Sequence, residues 1–91
     1  MEFIHGEHRI YAENDAGKVI AEVTFPQEND STVCLDHTFV DDSLRGQGVA
    51  GKLVKEVVDY AQKNGKKIRP QCSYAADWFN KHSEYADLVA H

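Results

Sequence analysis

The stretch Ser-Thr-Val-Cys-Leu-Asp-His-Thr-Phe-Val (31–40), Asp-Asp-Ser-Leu (41–44), Arg-Gly-Gln-Gly-Val-Ala-Gly-Lys (45–52) decides the fold. Its first ten residues read as a strand, its middle as a polar turn, and its end as a glycine-rich entry to a helix. Strand, glycine-rich turn and helix together aim free backbone N–H groups at an anion such as phosphate. Glycine lets the backbone approach that anion and take positive φ.

Outward from this stretch the chain continues in short elements. Arg9–Glu13 reads as a strand with Ile10 and Ala12 on one face. Asn14-Asp15-Ala16-Gly17 is a turn, and residues 18–25 form the return strand with Val19, Ala21, Val23 and Phe25 on one face. Residues 1–6 read as a loose lead-in and Pro26 to Asp30 as a second turn. The third strand, about Thr32 to Val40, completes an antiparallel meander. Val49, Leu53, Val54, Val57, Val58 and Ala61 recur at helical spacing, and Asn64-Gly65 marks the helix end. Residues 68–73 form a fourth strand, parallel to the third through the helical crossover, with Pro70 placing it at an edge. Residues 75–82 read as a short helix, with Tyr85, Leu88 and Val89 in a tail that packs back. The fold class is mixed α/β in one domain over residues 1–91, with its core over about 8–82.

Composition narrows the function. A net charge of −5 argues against non-specific binding of nucleic acid or of an anionic membrane surface. No apolar run reaches the ~20 residues of a membrane span, and the acidic start Met1–Glu7 is not a secretory signal. Two cysteines, Cys34 and Cys72, are too few for a disulfide scaffold, so the expected location is the reducing cytoplasm. The histidines at 5, 8, 82 and 91 lack metal-ligand spacing and read as surface residues, and no metal is expected. Cys34, Trp78 and Phe79 read as packed residues, and Asp41-Asp42 as a solvated turn that helps cap the helix.

Three patterns overlap in the turn. Gly46-Gln47-Gly48-Val49-Ala50-Gly51 matches a dinucleotide fingerprint, which needs an acidic residue about 20 positions on; residues 66–73 contain none. Gly46 to Leu53 nearly matches a P-loop, but Leu53 stands where a hydroxyl must hold magnesium. The third is Arg-x-x-Gly-x-Ala, carried by Arg45, Gly48 and Ala50. On this motif, the preceding antiparallel strands and the following parallel strand, the chain resembles the GNAT superfamily of acetyl-coenzyme A-dependent N-acetyltransferases. The resemblance covers about residues 8–82 and is closest to a small subfamily that keeps little beyond the coenzyme-binding core. His37-Thr38 and Cys72-Ser73-Tyr74-Ala75 resemble recurring features of that subfamily.

The resemblance implies acetyl-CoA as co-substrate and an amine as acceptor. It puts the pyrophosphate on the N–H groups of Arg45, Gly46, Gln47, Gly48, Val49 and Ala50, with Gly51 closing the motif and Lys52 or Arg45 meeting phosphates. It lays the pantothenate arm along Thr38, Phe39 and Val40 of a bulged strand, whose backbone N–H can also stabilise the oxyanion. Full-length relatives insert helices between their first two strands to build the acceptor site; here only residues 14–17 are expected there. The usual C-terminal tyrosine, which protonates the leaving thiolate, falls on Phe79, so Tyr74 is the nearby substitute. Cys72 can accept the acyl group by thioester exchange, with His37 as its base. An acetyltransferase acting on an exposed protein or small-molecule amine is thus one expectation; a module that only binds CoA, as sensor, carrier or partner subunit, is the other.

Overall fold

Two sheets share one helical layer. The computed structural model describes residues 2–90, so Met1 and His91, with the surface position expected for His91, lie outside the described residues. Strands β1 (Ile4–Gly6), β2 (Arg9–Glu13), β3 (Val19–Thr24) and β6 (His37–Val40) form an antiparallel sheet in that order. Strands β4 (Gln27–Asn29), β5 (Thr32–Leu35) and β7 (Lys67–Pro70) form the second sheet, with β5 central. Helix α1 (Val49–Asn64) crosses from the first sheet to the second and delivers β7 parallel to β5, as the periodicity predicts. Helix α2 (Ser73–Lys81) and a 3-10 segment (Ser83–Leu88) follow, and Val89 bridges to Ile68.

Alternation explains the core. Ile10 and Ala12 on β2, Ala21 and Val23 on β3, and Val33 and Leu35 on β5 are all buried. They meet the buried stripe Val49, Leu53, Val54, Val57, Val58 and Ala61 of α1. Gly65 ends α1 in the left-handed region at φ 65° and donates its N–H to Ala61.

Several expectations need correction. Residues 4–6 are not a lead-in: β1 pairs with β2, Ile4 opposite Tyr11 and Gly6 opposite Arg9. The first two strands are therefore joined by Glu7 and His8, not by residues 14–17, and His8 makes that turn at φ 55°. The turn at 26–30 contains a strand, β4, paired to β5. The single strand of residues 32–40 is two strands in two sheets. The break falls at Asp36, whose N–H turns to the Thr24 carbonyl at 3.3 Å, while the Leu35 carbonyl takes the N–H groups of Gln71 and Cys72 at 3.0 and 3.1 Å. His8 and His82 are not simple surface residues. His8 packs edge-on against Phe25 and Tyr60, and His82 stacks on Trp78 at 3.9 Å between ring centres.

Candidate acetyl-CoA site

Past Asp36 the two sheets part, and β6 is left as the free edge of its sheet. The ladder bond from the Asp41 N–H to the Ile20 carbonyl, 2.8 Å, fixes the parity of that edge. In an antiparallel pair successive residues point their backbone groups to opposite sides. Phe39, paired with Glu22, therefore bonds inward to β3, while Thr38 and Val40 turn their N–H and carbonyl groups to the open fork.

The loop that follows is built from its own side chains. The Asp41 carboxylate accepts from the Ser43 N–H at 3.0 Å and the Ser43 hydroxyl at 2.6 Å, capping the 3-10 turn Asp42–Leu44. It caps that turn rather than α1, which corrects the expected role. The N-cap of α1 is Gly48, in the left-handed region at φ 70° and ψ 21°, with no side-chain cap. Arg45 and Gln47 spend their N–H groups inside the loop, on Asp42 and Leu44. The backbone N–H groups of this segment left without a backbone partner are those of Gly46, Gly48, Val49, Ala50 and Gly51, the last four being the unpaired first turn of any helix. A side chain added at Gly46 or Gly48 would meet no atom within 4 Å, so both stand on open space.

A cleft of ≈ 220 Å³ lies here, lined by Val40, Arg45, Gly46, Gly48, Val49, Ala50 and Tyr74, with Asp41, Asp42 and Leu44. The last three were missed as lining; their signal was only that they precede the motif. Arg45 is exposed and held by Asp42 at 2.8 Å. Gln47, Gly51 and Lys52 fall outside the lining. Gly51 instead faces Trp78 Nε1 and the Tyr74 hydroxyl, where an added Cβ would lie at an ordinary contact distance of 3.5 Å from each. Lys52 is exposed.

Cys72 sits at the N-cap of α2 with Sγ 3.5 Å from Thr38 Oγ1. Thr38 and Val40 share the inner face; His37 and Phe39 turn to the outer one by the pleat. The structure thus brings Cys72 to Thr38, and His37 to the other side of the sheet. Burial raises the Tyr74 hydroxyl above its ordinary range, so it stays protonated at neutral pH. Burial likewise raises the Cys34 thiol, which bonds Gln71 Oε1 at 2.8 Å. Among the described residues no cluster of His, Cys, Asp or Glu is arranged to hold a metal ion, and no helix is long and apolar enough to cross a membrane.

Asp41 yields a pH prediction. The Ser43 hydroxyl, then the Ser43 N–H, lower its pKa below the ordinary 3.8. A lowered folded value stabilises the loop above 3.8, and this contribution is lost as pH falls through the folded value. Acid titration followed by NMR is expected to move the Ser43 amide resonance with a midpoint below 3.8, and Asp41→Asn to remove that transition.

A family model for GCN5-related N-acetyl-transferase matches residues 9–88. A GCN5-like protein from Staphylococcus aureus is 37% identical, with a TM-score of 0.82, over 98% of this chain and 87% of its own. The chain belongs to the GCN5-related N-acetyltransferase family. A family member from Escherichia coli, solved with CoA, is 32% identical with a TM-score of 0.56, over 66% of this chain and 37% of its own. One from Elizabethkingia anophelis with acetyl-CoA bound shares the fold at 18% identity and a TM-score of 0.59, over 84% of this chain and 51% of its own. The present chain thus spans about half or less of those two relatives and nearly all of the small one. No curated protein matches it.

Proposed function

We propose that this family member transfers acetyl from acetyl-CoA to an exposed amine. The observation that carries the reading is the uncapped N-terminus of α1, where Gly48 in the left-handed region opens a row of unpaired N–H groups onto the cleft. In this reading Gly46, Gly48, Val49 and Ala50 hold the pyrophosphate, aided by the helix dipole. Thr38 and Val40 pair with the pantetheine arm through the free edge of β6, and the Val40 N–H faces the thioester oxygen, where it stabilises the negative charge that develops on attack. Arg45 leaves Asp42 for a phosphate.

Cys72 takes the acetyl group first. Its sulfur forms a bond to the carbonyl carbon, the bond from that carbon to the CoA sulfur breaks, and CoA departs as a thiol carrying the proton that the Cys72 thiol gives up. The acceptor amine then forms the amide, and the sulfur returns to the thiol with the amine's proton. Thr38 Oγ1, 3.5 Å from the Cys72 sulfur, orients it. Incubation with acetyl-CoA is expected to add one acetyl group to the intact mass, absent in Cys72→Ser. Amine acetylation retained in full by Cys72→Ser would remove this step and leave direct transfer.

One observation favours the non-catalytic alternative. Phe79 is buried at the position where the resemblance expects the proton-donating tyrosine. CoA binding without acetylation or thioester hydrolysis would establish a binding module instead.

A further inference from the structure

Helix α1 packs on the inner face of the first sheet, α2 packs against β7 and α1, and the opposite face of the first sheet is its outer one. Register places Ile4, Tyr11, Glu22 and Phe39 in one row across it, from β1 to the fork. Ile4 and Phe39, the two ends of the row, are each 38% exposed. At the β1 end the row opens into a groove of ≈ 530 Å³ with Ile4 and Ile20 as its apolar lining and Glu2, Glu13 and Asp15 as its charged lining. No lysine or arginine lines it. Arg9 beside it is neutralised by Glu22 and lies over the Tyr11 ring at 3.8 Å. The ion pairs among the described residues leave the three groove carboxylates without a cation in contact.

We infer that this face docks a basic segment of a protein acceptor, with an apolar and cationic anchor in the groove and the reacting lysine passing Phe39 and entering the open fork toward Thr38 and Cys72 on the inner side. The inference rests on the acetyl-transfer reading and names its acceptor class. An apolar lining with an all-acidic rim complements a peptide carrying arginine or lysine next to leucine or valine, and a small free amine would use neither part. Three strand spacings separate Ile4 from Phe39, about 14 Å, so anchor and lysine stand roughly four to five extended residues apart.

The test uses a short labelled peptide with one lysine and, roughly five residues away, a leucine–arginine anchor, and a second peptide with glutamate in place of the arginine. Anisotropy without CoA reads the groove alone. The wild-type chain is expected to bind the arginine peptide, and the double variant Glu13→Lys with Asp15→Lys to bind it roughly tenfold more weakly and to prefer the glutamate peptide. With acetyl-CoA present, the arginine peptide is expected to be acetylated with a higher kcat/KM than free lysine, and the double variant to lose that advantage while keeping its rate on free lysine. Equal binding by wild type and double variant, or equal kcat/KM for peptide and free lysine, overturns the inference. Failure of CoA to bind in calorimetry overturns the acetyl-transfer reading instead, and anisotropy still decides the groove.

Discussion

Gly48→Ala is expected to weaken CoA binding by roughly tenfold or more, about 1.4 kcal/mol, with little change in the rest of the fold. The expectation comes from the backbone. Gly48 holds φ 70° as the N-cap of α1, and an L-residue there costs about 1–2 kcal/mol. Relaxing that strain rotates the neighbouring N–H groups away from a common point. The added methyl group also projects into open space that the phosphate would enter, since no atom of the protein lies within 4 Å of it. Gly48→Val adds β-branching and should abolish binding. Calorimetric titration with CoA checks both, and an unchanged Kd for Gly48→Val would show that the loop holds no phosphate. Circular dichroism with the helical signal retained separates this loss from unfolding.

Leu53→Ala is expected to be the most damaging conservative change to stability, at about 3 kcal/mol. Leu53 is wholly buried and belongs to the stripe by which α1 packs on the sheets. A domain of this size has roughly 5–10 kcal/mol in total, so this one cavity removes about a third to three fifths of it. At about 4–8 °C per kcal/mol the midpoint should fall by roughly 12–24 °C. Thermal unfolding followed by circular dichroism checks it. A fall below a few degrees would mean that α1 does not carry the core, and the placement of the glycine loop that depends on it would fail as well.

Local signals carried a large part of the fold. The period-two runs at Arg9–Glu13 and Val19–Thr24 and the helical spacing from Val49 to Ala61 each lie within one element, and each formed where the pattern put it. Pro70 correctly marked an edge, because β7 ends the second sheet. The short strands β1 and β4 were not legible. Each has three residues, all exposed, so no apolar alternation announces it, and only pairing with a neighbour makes it a strand. His82 could not be placed because its partner, Trp78, matters through ring stacking rather than spacing alone. In the candidate site, the turn carrying Arg45, Gly48 and Ala50 was readable because it is contiguous in the chain. The contact of Cys72 with Thr38 was not, since 34 residues separate them.

The sequence by itself determined the order of the main elements, the buried stripe of α1, and a glycine turn at its start that leaves N–H groups free. These depend on residue-level preferences for φ, on side-chain periodicity and on the absence of a capping side chain at position 48. Only the tertiary structure decided that residues 32–40 split between two sheets at Asp36, that β6 keeps an open edge, and that His37 and Cys72 face different sides. Those facts follow from which carbonyl each N–H finds, at Thr24, Leu35 and Ile20, and such choices between distant partners leave no trace in the local pattern.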